Sequence, residues 1–199
     1  MSILGRGAWS TISYHEHFIG IVEKVWPDCR ECLTAWHRAH EDRITDILVR
    51  RVREREEVVD APYRVEPQYP ILNDLDDGKA DIVLIFDFTQ EHYIAYEAKK
   101  LNVSRTRALS SNYVRDGVKD RFVSGKYSVA MPIAGMLGYV IDGNLQRAER
   151  NLSRMLYRAS NSILINPPLT PIWLCRKAIT YHERVPIPIT LHHLLLSAT

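Results

Sequence analysis

The segment GKADIVLIFDFTQEHYIAYEAKKL, residues 78–101, constrains the fold more than any other part of this sequence. It holds two apolar stretches of strand length, at about 80–88 and about 92–101, rich in β-branched and aromatic residues. The connection between them is short, which favours an antiparallel hairpin. Asp81, Glu97 and Lys99 lie within these stretches, and a buried charge is costly unless it is paired or binds a metal ion. The segment therefore predicts two packed strands that carry a charged cluster.

The rest of the chain predicts helices and further strands around this hairpin. The first ~60 residues have helical spacing, with a break predicted at Pro27 and Asp28 and a second helical stretch over residues 32–55. Later patterns predict an edge strand over 63–72, a helix and turn over 112–128, a strand over 134–142, an amphipathic helix over 144–160, and late strands over 171–180 and 188–197. This order predicts an α/β fold, bordering on α+β, with a mixed sheet flanked by helices.

Length and composition place the chain among ordinary globular proteins. Its 199 residues predict a single domain, with helices over 1–60, a sheet core over 61–145, and a helix and strands over 146–199. Hydrophobic residues make up 46% and charged residues 25%. No apolar run approaches the ~18 residues of a membrane helix. Three cysteines and no secretion signal favour a cytoplasmic protein without a disulfide framework.

The charged residues of the hairpin fall at positions that bring them together. Residues two apart in a strand face the same way, so Glu97 and Lys99 share one face. Asp81 begins the neighbouring strand at a similar separation from the turn, which places it near Glu97 across the ladder. Two such carboxylates need a cation, and hard oxygen ligands suit Mg²⁺. A metal ion and a lysine that orients or deprotonates a water are the equipment for phosphodiester hydrolysis.

A further carboxylate is predicted to face the same core. Glu41 precedes Ile44, Thr45 and Leu48 by three, four and seven residues, which puts it on the apolar face of a helix. A carboxylate on that face is unusual, and we expect it to add a ligand to the same metal ion or to hold a second one. Taken singly, each of these charges is more ordinarily a strand-end residue or half of a salt bridge; the interpretation depends on their combination.

The pattern formed by Asp81 and the later Glu97-x-Lys99, with Glu41 on an upstream helix, resembles the PD-(D/E)xK nuclease superfamily. That superfamily has the restriction-endonuclease-like fold with an αβββαβ core, and the predicted order of elements fits it. The motif is short and degenerate, so its weight comes from the surrounding helices and strands. One position departs from the pattern, because Ala80 stands where many members have proline.

The resemblance covers roughly residues 36–145 and implies roles for four residues. It implies that Asp81 and Glu97 are metal ligands, that Glu41 is an auxiliary ligand, and that Lys99 positions the attacking water. It also implies an Mg²⁺-dependent endonuclease, with Mn²⁺ as a substitute, that cleaves DNA and less often RNA. Small stand-alone members often act in bacterial defence against phage. By analogy, the resemblance also implies a role of this chain in such defence.

Basic residues follow the second strand of the hairpin. Between Lys99 and Lys126 there are eight Lys or Arg and two Asp. We expect six of them to bind nucleic-acid phosphates, with DNA favoured over RNA: Arg105, Arg107, Arg115, Lys119, Arg121 and Lys126. The alternative for each is a solvated face, as for the stripe of arginines at 147, 150, 154 and 158. A homodimer or a regulatory partner subunit is left open.

Two other functions fit the same residues. In the first, the chain is a non-catalytic nucleic-acid-binding or scaffolding subunit of the same fold, in which Lys99 pairs with Asp81 or Glu97 as a buried ion pair. In the second, the chain is an adaptor or inhibitor whose basic face binds an acidic protein. A zinc site formed by Cys29, Cys32, His37 and His40 is disfavoured, because these residues would spread over about three turns of helix.

Overall fold

The structure is a computed structural model. It describes residues 10–33, 35–71, 78–86, 92–102, 108–127, 130–159, 164–165 and 174–199. The α-helices are α1 (Thr11–Glu31), α2 (Glu41–Arg53), α3 (Glu56–Val59), α4 (Ala108–Asn112) and α5 (Leu145–Ala159), and a π-helix over Tyr113–Val123 follows α4 directly. The strands are β1 (Arg64–Ile71), β2 (Gly78–Ile85), β3 (Tyr93–Leu101), β4 (Ile133–Val140), β5 (Leu164–Ile165), β6 (Cys175–His182) and β7 (Ile189–Ser197).

The strands form one mixed sheet in the order β1-β2-β3-β4-β7-β6-β5. The predicted hairpin is confirmed, since β2 and β3 pair antiparallel with Ile82 opposite Tyr96. β1 lies at the sheet edge, as its prolines predict. The central strand β4 runs parallel to both β3 and β7. The predicted α/β class with a mixed sheet flanked by helices is therefore correct.

Helices cover both faces of the sheet, so its central strands are apolar on both sides. On one face, Phe18 and Trp26 of α1 pack with Tyr139 of β4 in a fully buried cluster. On the other face, Phe122 of the π-helix and Leu152 of α5 belong to a second cluster. Burial on both faces explains why β2 and β3 read as nearly continuous apolar stretches.

The predicted helix break at Pro27 and Asp28 is wrong, because α1 continues through Pro27 to Glu31. A proline inside a helix removes one backbone hydrogen bond. Burial of the neighbouring apolar face outweighs that cost: Trp26 and Cys29 are each at most 1% exposed. Trp26 Nε1 also donates a hydrogen bond of 2.7 Å to the backbone carbonyl of Ser197 on β7. Tertiary packing thus maintains the helix where local propensity predicts its end.

The real break comes later, and it changes the position of Glu41. Residues 36–38 form a turn, and α2 begins at Glu41 rather than at residue 32. Glu41 and Asp42 occupy the first turn of α2, where acidic side chains interact favourably with the helix dipole. Glu41 therefore lies at a helix N-terminus. The sequence pattern predicts that it lies in the middle of a helix, and this prediction is wrong.

None of the helices in the described part of the chain is long and apolar enough to cross a membrane.

Candidate active site

The charged cluster lies where the pairing of β2 with β3 ends. Ile82 and Tyr96 are the last paired residues at this end of the ladder, and Asp81 and Glu97 are the next residues on each strand. Asp81 Oδ2 accepts a hydrogen bond of 2.7 Å from the backbone N–H of Ala98. The carboxylate of Asp81 thus takes the place of a strand carbonyl and is fixed beside the Glu97-x-Lys99 segment.

Glu97 and Lys99 form an ion pair inside this cluster. Lys99 Nζ donates to Glu97 Oε1 at 2.7 Å and to the carbonyl of Ala98 at 3.0 Å. Glu97 is only 3% exposed, and its second oxygen, Oε2, is buried without a hydrogen-bond partner among the described residues. An unsatisfied buried carboxylate oxygen is costly. It is therefore the feature of the cluster that most needs an additional ligand.

Burial and electrostatic interactions shift the pKa values of the residues in this cluster. Burial raises the pKa of Glu97 to about 7, and the nearby carboxylate of Asp81 adds to the shift. Burial also raises the pKa of Asp81, against the opposing effect of Lys99. For Lys99, burial favours a lower pKa, but the carboxylates of Glu97, Asp81 and Glu41 outweigh it and raise the pKa. Lys99 is consequently an ammonium group at neutral pH.

Glu41 approaches the cluster from the N-terminus of α2. Its Oε2 accepts a hydrogen bond of 2.5 Å from the backbone N–H of Lys100, which follows Lys99 on β3. Burial raises the pKa of Glu41, the ammonium of Lys99 opposes that shift, and Asp81 adds to it. The structure therefore brings the four predicted residues to one end of β3, while their catalytic and metal-binding roles stay predictions.

Gln68 on the edge strand β1 is a neighbour of Asp81 that the sequence interpretation missed. Its Nε2 donates to Asp81 Oδ1 at 3.2 Å. The pairs Pro67–Ile82 and Tyr69–Ala80 place Gln68 opposite Asp81, and its backbone has a φ of 50°. A positive φ is unfavourable for a residue with a Cβ and is retained only where the surroundings require it. A polar residue between edge-strand prolines carries no sequence signal for this contact.

Arg121 of the π-helix contacts the same cluster. Its Nε lies 3.8 Å from Glu97 Oε1 and is buried without a hydrogen-bond partner among the described residues. The guanidinium carbon lies 5.3 Å from the ring centroid of Tyr127, a cation–π contact. The Tyr127 hydroxyl is fixed in turn, since it accepts from the backbone N–H of Lys79 and donates to the carbonyl of Lys79. Tyr127 was also missed from the sequence.

The other predicted phosphate-binding residues are arranged differently. Arg105 and Arg107 lie outside the described residues. Arg115 is exposed and pairs with Asp116 at 2.6 Å, and Lys119 is exposed on the same helix. Lys126 packs against Gly78 at the start of β2. Direct contact with the charged cluster is therefore established for Arg121, and the structure gives Arg115 an ion-pair partner elsewhere.

Among the residues described, no group of three or more His, Cys, Asp or Glu side chains is arranged to hold a metal ion. Cys29 is buried in α1, and burial raises the pKa of its thiol to about 12, which disfavours the thiolate needed for zinc. In the acidic cluster, Lys99 occupies one oxygen of Glu97 and both oxygens of Asp81 accept hydrogen bonds. The carboxylates are close together but do not form a ready-made cage.

Comparison of the chain with protein-family models, with curated proteins and with solved structures finds no match. The geometry and chemistry of the charged cluster are therefore the basis for a function.

The raised pKa of Glu97 predicts a pH-dependent stability. Between its ordinary pKa of 4.5 and about 7, Glu97 binds more protons in the folded than in the unfolded chain. The contribution of Glu97 to the free energy of unfolding in EDTA should therefore fall as pH rises through this range, by on the order of 3 kcal/mol. Several histidines act in the opposite direction, because burial lowers the pKa values of His15, His182, His192 and His193. Urea denaturation of Glu97→Gln and of the surface variant Glu54→Gln at about pH 5 and about pH 8 isolates the contribution of Glu97. Between these pH values the stability of Glu97→Gln should rise more, or fall less, than that of Glu54→Gln; equal profiles for both would contradict the assignment.

Proposed function

We propose that this chain is a metal-dependent endonuclease that hydrolyses phosphodiester bonds, with DNA as the favoured substrate over RNA. One observation carries the proposal. Carboxylates from α2, β2 and β3 and the ammonium of Lys99 meet at one end of β3, and a buried oxygen of Glu97 has no partner there among the described residues. The resemblance of the same residues to the PD-(D/E)xK superfamily supports the choice of reaction.

The donor atoms of the cluster suit a hard divalent cation. Asp81, Glu97 and Glu41 offer only carboxylate oxygens, the ligands that Mg²⁺ and Mn²⁺ prefer. Glu97 and Glu41 each have a pKa raised partly by Asp81, so a cation would relieve their repulsion. Lys99 occupies Oε1 of Glu97, whereas Oε2 has no partner among the described residues and is the oxygen that would hold the cation. When bound, the ion supplies Lewis-acid activation of the phosphate and of a water.

The side chains of the cluster have separable tasks in this reaction. Lys99 is protonated, so it donates hydrogen bonds to the attacking water or to the phosphate oxygens and does not act as a base. Asp81 and Glu97 would hold the cation, and Gln68 and the Ala98 N–H keep the Asp81 carboxylate in position. Water attacks phosphorus and gives up a proton to solvent, the bond from phosphorus to one ester oxygen breaks, and that oxygen takes up a proton from solvent. Arg121 is positioned to neutralise a phosphate oxygen beside Glu97.

The proposal is tested by incubating the purified protein with plasmid, linear duplex, single-stranded DNA and RNA, each with Mg²⁺, Mn²⁺ or EDTA. We expect metal-dependent cleavage that EDTA abolishes, and the preferred substrate identifies the class. The proposal extends, by analogy with small members of the superfamily, to a role in bacterial anti-phage defence. An uncontrolled nuclease endangers its host, so a regulatory partner or a homodimer belongs to the same proposal.

Replacement of Arg121 by alanine should lower the rate of cleavage and weaken substrate binding by about 10- to 100-fold. A hydrogen bond to a charged group is worth ~1.5–3 kcal/mol, and the guanidinium is already oriented by Tyr127. Cleavage rates measured across substrate and salt concentrations provide the test, because loss of a phosphate contact also reduces the salt dependence. Arg50→Ala, an exposed arginine of α2, is the matched control. Equal rates for the two variants would remove Arg121 from the site.

A second candidate function is a non-catalytic subunit of the same fold. The observation that favours it is the 2.7 Å ion pair between Lys99 and Glu97, together with the lack of a preformed metal cage within the described residues. In such a subunit the buried charges would satisfy one another, and removing Lys99 would leave Glu97 stranded in the core. Metal-dependent stabilisation distinguishes this function from the nuclease.

A further inference from the structure

A cavity of about 290 Å³ lies between the π-helix and α5, separate from the acidic cluster. Its lining is mostly aliphatic: Val114, Val118, Val123 and Leu156, with Lys119, Ser124 and His182. This volume of about 290 Å³ is slightly below the ~300–1,000 Å³ typical of small-molecule pockets. The cavity therefore has room for a small ligand with an apolar body.

The polar group that distinguishes this cavity is His182 at the end of β6. The residue is 3% exposed. Its Nε2 shares a hydrogen bond of 2.7 Å with Thr180 Oγ1, whereas its Nδ1 is buried with no hydrogen-bond partner in the described part of the chain. Burial lowers the pKa of His182 to about 4, so the ring is neutral at pH 7. One of its two nitrogens then carries the hydrogen.

A chain of hydrogen bonds links the position of this hydrogen to the tautomer of His193. The hydroxyl of Tyr113 lies 2.9 Å from His193 Nδ1, and His193 Nε2 lies 2.8 Å from Thr180 Oγ1. Tyr113 is fully buried, and its hydroxyl either donates to His193 Nδ1 or accepts from it. When it donates, His193, also neutral because of burial, donates from Nε2 to Thr180.

In that arrangement Thr180 accepts one hydrogen bond and donates its own hydrogen to His182 Nε2. The hydrogen of His182 is then on Nδ1, the nitrogen without a partner. A buried N–H without an acceptor costs stability that a hydrogen-bond acceptor in the cavity would restore. Lys119, an exposed residue, lines the same cavity, and its positive charge favours a negatively charged acceptor, which selects the arrangement with the hydrogen on His182 Nδ1.

We propose that this cavity is a binding site for a small aliphatic carboxylate. The carboxylate accepts the hydrogen bond from His182 Nδ1 and is compensated by Lys119, while the hydrocarbon body packs against the valines of the π-helix and Leu156. A water molecule could accept from His182 but would leave the aliphatic walls without apolar contacts, which are the larger part of the lining. The site does not depend on the nuclease function.

Octanoate is the probe that tests this site, with octylamine as a ligand of the same chain length and opposite charge. Ligand-observed NMR and thermal melting should show saturable 1:1 binding of octanoate and at least tenfold weaker binding of octylamine. His182→Phe keeps an aromatic ring but removes the N–H, and should weaken octanoate binding about tenfold or more.

Lys119→Glu tests the site without disturbing the core, because Lys119 is exposed. It should weaken octanoate binding by a similar factor, whereas the exposed control Arg50→Glu on α2 should leave the affinity unchanged. This comparison also decides the matter if His182→Phe does not fold. Absence of saturable octanoate binding, equal affinity for octylamine, or equal effects of Lys119→Glu and Arg50→Glu would each overturn the proposal.

Discussion

Lys99→Ala should reduce cleavage of the preferred substrate by about 100- to 1,000-fold while the protein stays folded. The ammonium of Lys99 lies 2.7 Å from Glu97, one of the carboxylates proposed to hold the metal ion. Its loss removes a preorganised charge from a partly dry site, where such groups typically contribute about 10²–10³ in rate. Initial rates of plasmid cleavage in Mg²⁺ measure the effect, with circular dichroism as the check on folding.

Lys24→Ala is a suitable control for this experiment. Lys24 is an exposed lysine of α1 that pairs with Glu57 on the surface, a contact worth little to stability. We expect its cleavage rate to equal that of the unmodified protein. Full activity in Lys99→Ala, Asp81→Ala and Glu97→Ala alike would rule out the charged cluster as the catalytic site.

Mg²⁺ or Mn²⁺ should raise the melting temperature, because a ligand that binds only the folded chain stabilises it. At a free metal concentration 100-fold above Kd the gain is ~2.7 kcal/mol, which corresponds to roughly 5–10 °C for a chain of this length. Asp81→Asn should abolish the shift in melting temperature, because it removes the carboxylate that contributes to the raised pKa values of both Glu97 and Glu41. Asp46→Asn, at an exposed position of α2, should retain it.

The same measurement separates the nuclease from the non-catalytic subunit. If Lys99 and Glu97 form only a structural ion pair, the metal changes nothing, and Lys99→Ala unfolds the protein or costs it ~3–5 kcal/mol. A nuclease site gives the opposite pair of results: stabilisation by metal, and a folded but inactive Lys99→Ala variant. Stabilisation by metal that persists in Asp81→Asn would place the ion elsewhere on the chain.

The amino-acid sequence is enough to predict the hairpin and the side chains that it carries. Side chains alternate between the two faces of any strand. Glu97 and Lys99 are two residues apart, so they share a face whatever the strand packs against. A short connection imposes antiparallel pairing, and the register that follows puts Asp81 next to Glu97. The α/β class follows from the same local periods, since helical and strand spacings alternate along the chain.

Tertiary structure decided the rest. Pro27 stays helical because burial of the apolar face around Trp26 outweighs the lost hydrogen bond. The contacts that bury this face come from residues far away in the sequence, so the residues around Pro27 do not predict them. Gln68 and Tyr127 reach the site through contacts between segments far apart in sequence, and so does the carboxylate of Glu41. Periodicity reports which face of an element is buried, whereas the partner of a buried polar atom depends on how distant elements pack, and only the folded chain decides that.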